Sequence, residues 1–519
     1  MDYVLAFDAG TGSIRAVLFD RKGQQIGVSQ KEWTHLPDEG VPGSMNFDTA
    51  SNWELVIHCV KEVLQDTGIL PSDIKAVSAT SMREGFVLYN QNGQEIWACA
   101  NVDARAGVEV SDLKMSDEKI EMDLYAESGQ TFALGAIPRL LWLKKHKPEI
   151  YEATSCITMI NDWILYKLSG ILQVDPSNGC TSGIFNLEKR EWQKQIASRC
   201  EIKDSIFPKV HEAGTVLGKV SIETAALTGL CPETLVVSGG GDAQMASVGV
   251  GAISTNQTVV SGGSFWQQEV NVEKPYMDPK GRLRVNCHAV EGQWQLEAIA
   301  FFPGLVMRWF RDAFCEKEVE EAKITGRDAY EILEEKAQHV PAGSNGIIPV
   351  FSDVMNYVSW RHAAPSFINL SIDPQKTGKM EMFRSLQENA ALITLGNLKL
   401  IEEVTGHYPE EVIFAGGASK GRLWSQTLAD VLGVPVKVPV IKEAAALGTA
   451  LYAAIGAGIY SSIKEAADSV VVWERTFQPR MGNHHEYLKI YEKWRKVYES
   501  QLNLADRGVT THMWKAPGL

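Results

Sequence analysis

The run LVVSGGGDAQMASVGVG at residues 235–251 constrains this chain more than any other stretch. A β-branched segment, Leu235–Ser238, meets three consecutive glycines, then Asp242, then a small-residue run of helical character. That order suits a buried strand opening into a tight turn and a helix. Glycines at a strand end let a ligand approach the backbone where a Cβ would exclude it. A carboxylate at such a tip can accept a proton or hold a metal ion. The same residues equally suit a structural strand–turn–helix in which Asp242 caps the helix.

The flanking stretches repeat a pattern. The chain opens as a β-meander, with strand runs at Tyr3–Phe7, Ile14–Phe19 and Gln25–Glu32. The tip of the first hairpin carries Asp8, Gly10, Thr11, Gly12, Ser13 and Arg15, a set able to aim N–H groups and hydroxyls at phosphate oxygens. It is not a dinucleotide fingerprint, because the third glycine is missing and a strand follows where a helix should; no G-x-x-x-x-G-K-[ST] loop occurs either. Later, Gln257–Val260 and Phe265–Val270 flank Ser261-Gly262-Gly263-Ser264, a second strand, Gly/Ser loop and strand. The echo points to an internal duplication whose halves meet near Asp242. Val412–Phe414 then opens into Gly416, Gly417, Ala418 and Ser419 ahead of a helix over 422–432. Flat rings and phosphates are often held against such glycines and a helix start.

Between these loops, Asp48–Thr67 has helical spacing, and the strand Ile74–Ser78 leads to Arg83 and Glu84. A fork donor beside an acceptor can read the hydroxyls or carbonyls of a small polar ligand, or can form a surface ion pair. Phe86–Tyr89 and Glu95–Cys99 read as a hairpin, Lys379–Leu400 as a long helix, and the tail His484–Gln501 as a helix whose aromatic stripe docks. Ala444–Ile463 is uncharged for twenty residues, long enough to span a bilayer. Its Ala and Gly content favours a buried helix instead.

Bulk properties exclude other classes. The net charge of −14 and the lack of a Lys/Arg run argue against a nucleic-acid partner. Eight cysteines form no C-x-x-C pair and no zinc spacing, as suits a reducing cytoplasm. The N-terminal run reads as a strand rather than a secretory leader, so neither export nor a membrane partner is expected.

From Tyr3 to about Gly458 the order of these motifs resembles the FGGY carbohydrate kinases. The resemblance implies an α/β, two-domain, actin-like (sugar kinase/Hsp70/actin) ATPase fold with duplicated ribonuclease H-like cores. It implies divisions at 1–248, 249–460 and a C-terminal helical extension over 461–519. It also implies transfer from ATP, with Mg²⁺, to a small-molecule acceptor. Asp242 is then the expected general base and Asp8 the metal residue. Gly10, Thr11, Gly12, Ser13 and Arg15, with Gly262, Gly263 and Ser264, would hold phosphates. Gly416, Gly417, Ala418 and Ser419 would line the adenine and ribose site. Arg83, Glu84, Asp103, Gln244 and Phe265 would form the acceptor pocket.

Ser81-Met-Arg-Glu84 resembles the N-Q-R-E stretch of glycerol kinases, but other features depart from them. Asp242-Ala-Gln244 stands where they carry Asp-Gln. Their Gly-Thr-Gly is Ser261-Gly-Gly here, which leaves the threonine's role to Ser261 or Ser264. The runs Ser81–Gly85, Ile96–Arg105, Phe265–Gln268, Met307–Cys315, Ala363–Asp373 and Met513–Leu519 are similar to a branch that phosphorylates an open-chain dihydroxypentanedione at its terminal hydroxyl. A kinase for another polyol or ketose, and an actin- or Hsp70-like ATPase module, are the alternatives.

Overall fold

The computed structural model describes residues 2–441 and 443–516. The β-branched opening forms β1 (Tyr3–Ala9), β2 (Ser13–Asp20) and β3 (Gln25–Glu32), joined as antiparallel neighbours. Helix α1 (Thr49–Thr67) follows; Asp48 caps it by accepting from the N–H groups of Ala50 and Ser51, and Gly68 ends it in a left-handed conformation. β4 (Ile74–Ser81) returns parallel to β1. β5 (Val216–Lys219) and β6 (Leu235–Val237) complete the sheet in the order β5–β6–β4–β1–β2–β3.

The three glycines depart from the expected turn. Gly240–Gly241 form a short strand, β7, paired in parallel with Thr80 and Ser81 of β4. None of the three has positive φ. They are glycines because there is no room: a Cβ on Gly239 would lie 1.8 Å from the Ala79 carbonyl oxygen, and one on Gly240 would lie 2.4 Å from Ser177 Oγ. Helix α2 (Asp242–Gly249) starts directly after β7.

The second half repeats this plan. β8 (Thr258–Gly262) and β9 (Trp266–Val272) are antiparallel, and so are β10 (Arg284–Cys287) and β11 (Trp294–Ala300). β11 also pairs with β9. Helices α3 (Pro303–Phe314) and α4 (Lys379–Thr405) precede β12 (Val412–Ala415), which is parallel to β8. After α5 (Arg422–Leu432), β13 (Val436–Pro439) lies parallel to β12. An antiparallel run of strands followed by two parallel ones thus occurs twice, as the duplication predicts, with β10 added as a fourth antiparallel strand in the second half. The C-terminal segment is not only helical: β14 (Trp473–Phe477) extends the second sheet beyond β13. Pro517–Leu519, the end of one resemblance run, lie outside the described residues.

Helix α6 (Ala444–Gly456) takes up only the first 13 residues of the uncharged stretch and is largely buried, the remainder turning at the surface; no described helix is long and apolar enough to cross a membrane. It lies on β1 and β4 of the first half and crosses α2. The crossing is backbone against backbone. A Cβ on Gly249 would lie 1.9 Å from the carbonyl oxygen of Ala444, four residues before Gly448. A Cβ on Gly448 would lie 1.9 Å from the carbonyl oxygen of Met245, four residues before Gly249. The two helices, each following the last parallel strand of its half, are therefore related by a local two-fold axis. Helix α7 (Met481–Asp506) docks through Tyr487, Tyr491, Trp494 and Tyr498, all buried, as its stripe predicts.

Candidate active site

Parallel strands bring their C-terminal ends to one edge of a sheet, where open α/β folds place ligands. Asp8 near the end of β1 pairs with Thr80 of β4, and Gly241 on the other side of β4 leads straight into Asp242. Two carboxylates so stand at strand ends on either side of β4. In the second half, Ser261 of β8 pairs with Ala415 of β12, so the loops at 262–265 and 416–419 leave the corresponding edge.

The first loop has its carbonyls tied down. Trp33 Nε1 donates to the carbonyls of Gly10 and Thr11 at 3.0 and 3.1 Å, and Trp33 N–H donates to that of Gly12. Asn101 Nδ2 donates to Thr11 Oγ1 at 3.0 Å. Arg15 Nη1 donates to Asp8 Oδ2 and to Glu443 Oε2, both at 3.3 Å, so it joins β2, β1 and the start of α6. Burial raises the pKa of Asp8, and Arg15 opposes that rise.

The second pair of loops is built on close backbone approach. Gly416 has φ of 85°, and a Cβ there would lie 2.6 Å from the Gly262 carbonyl oxygen. A Cβ on Gly304 would lie 2.0 Å from the carbonyl oxygen of Gly263, so α3 presses on the same loop. Ser419 is buried, its hydroxyl donating to the Gly416 carbonyl at 2.8 Å, while Gly416 and Gly417 are exposed. Phe265 is half exposed and rests against Phe301 and Phe302; Trp514 stacks on Phe301 at 4.3 Å.

Asp242 does not cap its helix from outside; it is the first residue of α2, and its Oδ1 accepts from the next N–H, that of Ala243, at 2.8 Å. Its side chain is 40% exposed, and Arg83 Nε lies 3.6 Å from Oδ1. Partial burial pushes its pKa up to about 6, against the pull of Arg83. A carboxyl in that range is ionised at neutral pH yet basic enough to take a proton.

Arg83 and Glu84 are not a surface pair. Both are buried. Arg83 donates to Glu297 of β11 through Nη1 and, at 3.1 Å, through Nη2. Arg284 of β10 meets Glu84 Oε1 at 2.6 Å. Burial disfavours the charge on Glu297, but Arg83 and then Arg284 outweigh it and hold its pKa below the usual range. Glu269 of β9, directly opposite Glu297, is the reverse case: burial first, then the Glu297 charge, push it well above that range. Gln244 is buried on α2 with neither amide atom hydrogen-bonded within the protein.

Asp103 does not join this group. Its side chain is fully buried, and it accepts from Arg105 Nε and Nη2 and from the Met45 N–H. With those bonds made it braces its own loop. Arg284, Glu297 and Glu269 are what sequence reasoning missed. The signal was a single carboxylate in the otherwise apolar-rich run WQLEAIA at 294–300, since a buried charge demands a partner.

No group of three or more metal-ligating side chains occurs among the described residues. Mg²⁺ is typically held through one or two carboxylates plus phosphate oxygens and water, and Asp8, at the end of β1, is a carboxylate of that kind.

Two sheets of repeated plan, each ending its parallel strands in glycine-bearing loops and joined through Arg15–Glu443 and Arg83–Glu297, define the class: a two-domain protein of the actin-like fold. The chain matches the N-terminal domain model of the FGGY family of carbohydrate kinases over residues 3–249 and the C-terminal domain model over 271–457. It belongs to that family, and so is an ATP-dependent kinase of the carbohydrate type. It is 53% identical to autoinducer-2 kinase of Escherichia coli (strain K12) over 518 residues, covering 100% of this chain and 98% of that protein. It is 50% identical to autoinducer-2 kinase of Yersinia enterocolitica, with 100% and 98% covered. The xylulose kinase of Rhodospirillum rubrum shares the fold, with a TM-score of 0.85 at 24% identity over 96% of this chain and 98% of that one.

Proposed function

We propose that this protein phosphorylates autoinducer-2, in its open-chain form 4,5-dihydroxy-2,3-pentanedione, at the terminal hydroxyl, using ATP in the cytoplasm. The full-length likeness to autoinducer-2 kinases supports the acceptor. The observation that carries the chemistry is Asp242, a partly exposed carboxylate next to Arg83 at the end of β7.

In this reading Asp242 takes the hydroxyl proton as the acceptor oxygen bonds to the γ-phosphorus. The bond from that phosphorus to the bridging oxygen breaks, and ADP leaves. Arg83, Glu84, Gln244 and Phe265 surround the acceptor. The loops at Gly10–Ser13 and Gly262–Ser264 hold phosphates from opposite sides, Arg15 supports charge there, and Gly416–Ser419 receive the adenosine. Asp8 would hold Mg²⁺, which when bound neutralises phosphate oxygens. Phosphate gripped from both halves favours a closed state that excludes water.

The test is an acceptor panel with ATP, the phosphorylated carbon being assigned by NMR. Preferred turnover of the dihydroxydione with phosphate on its terminal carbon is expected. Preference for glycerol or a pentulose would overturn the acceptor and leave a kinase for another polyol or ketose.

A further inference from the structure

We propose that Arg284 and Glu297 are positioning residues for acceptor recognition: a pair from the second half that fixes Arg83 and Glu84 of the first. The inference rests on the function proposed above, which places Arg83 and Glu84 against the acceptor.

The geometry is a crossed pair. Arg284 and Glu297 are direct partners in the β10–β11 ladder. Arg83 and Glu84 are consecutive in the chain. The arginine of each half meets the glutamate of the other. Consecutive residues of an extended chain point to opposite faces. Here Glu84 adopts φ of 65°, uncommon for a residue with a side chain, and both neighbours reach one cross-strand pair. That backbone is clamped on both sides: Glu84 N–H donates to Thr181 Oγ1 at 3.2 Å, and Arg139 Nη1 donates to the Glu84 carbonyl at 2.6 Å.

The holding pair is itself locked. Arg284 Nε donates to Gln130 Oε1 at 2.7 Å, and Gln130 Nε2 donates to Asn286 Oδ1 at 3.1 Å. Asn286 Nδ2 donates to Glu297 Oε2 at 3.1 Å, and Arg284 Nη1 stands 3.7 Å from Glu297 Oε1, which closes the ring. Arg284 and Glu297 are 2% and 0% exposed, so no water competes for these bonds. Two nitrogens of Arg83 are spent on Glu297, which leaves Nε toward Asp242. Recognition of the acceptor is thereby shared across the two halves, although neither Arg284 nor Glu297 has to touch it.

The experiment uses the full chain and three variants, Arg284→Gln, Arg284→Lys and Glu297→Gln. An acceptor panel on the unaltered protein comes first; failure of the dihydroxydione there sinks the proposed acceptor alone, and the variants are then compared on whichever acceptor is used. With Arg284→Gln and Glu297→Gln the acceptor KM should rise about 10-fold or more, as misplacing a substrate-holding group does, while the ATP KM stays within about 2-fold. Arg284→Lys, which keeps the positive charge beside Glu84, should recover part of the loss. An unchanged acceptor KM, or an equal rise in both KM values, overturns the proposal. If Arg284→Gln does not fold, Arg284→Lys and the near-isosteric Glu297→Gln decide by the same two KM values.

Discussion

Arg83 Nε stands 3.6 Å from Asp242 Oδ1, and the two come from neighbouring strand ends of one sheet. The guanidinium draws the carboxyl pKa down while desolvation, the larger effect, drives it up to about 6. Activity that needs the ionised carboxylate should therefore fall on an acid limb centred near pH 6. Replacing Arg83 with Met removes the pull, so the limb should move to higher pH. A pH profile of kcat/KM checks this; a limb that stays put or moves to lower pH would count against Asp242 as the base.

Asp242→Asn should lose about 10²–10⁴-fold in turnover and yet gain stability. A carboxyl whose folded pKa is raised favours the folded state below its unfolded pKa and loses that contribution as pH rises through the folded value, here about 6. At pH 7 the native charge is therefore a burden that Asn lacks. Thermal unfolding at pH 7 should show a higher Tm for the variant, and the gap should narrow toward pH 4.

Two loop glycines should separate steric need from ligand contact. Gly416→Ala forces a side chain into positive φ and against Gly262, so it should destabilise by about 1–3 kcal/mol and raise the ATP KM. A Cβ on Gly12 would meet nothing within 4 Å. Gly12→Ala should thus fold with stability within about 0.5 kcal/mol of the parent, and any rise in its ATP KM reports the phosphate loop itself. Urea melts beside nucleotide kinetics make the comparison.

Thiol labelling should find one fast cysteine. Seven of the eight are buried, and only Cys231 is half-buried. Burial pushes the thiols of Cys99 and Cys200 up to about 11 and that of Cys156 to about 12, which starves them of thiolate. Time-resolved labelling of the native protein should consume about one equivalent quickly, as exposure dictates; two or more fast equivalents would contradict this picture.

Much of the fold was legible because the hydrophobic periods are local. The meander at Tyr3–Glu32, the long helix at Lys379 and the docking stripe of α7 are written within single elements. The duplication was visible too, since each half carries the same strand, Gly/Ser loop and strand. What escaped the sequence depends on distance in space. The glycines at 239–241 read as a turn, but Gly240 and Gly241 form a short strand on β4, and the neighbours of Gly239 and Gly240 leave no room for a Cβ. Asp103 read as a ligand group because nothing near it in the sequence shows the distant Met45 N–H donating to it at 2.6 Å. Glu297 lies more than two hundred positions from Arg83, and no pattern within either stretch couples them.

Gly249 and Gly448 carry a consequence for inheritance. Each leaves room for the backbone four residues before the other, so they guard one contact from two sides. After a gene duplication most paired positions are free to drift apart, but this pair is not: the copies meet here, and each copy's residue is the other's environment. A methyl on either glycine wedges the same two helices apart. Once they are separated, a second methyl meets less resistance, so Gly249→Ala and Gly448→Ala together should destabilise by less than the sum of the two alone. Selection therefore sees one site with two addresses.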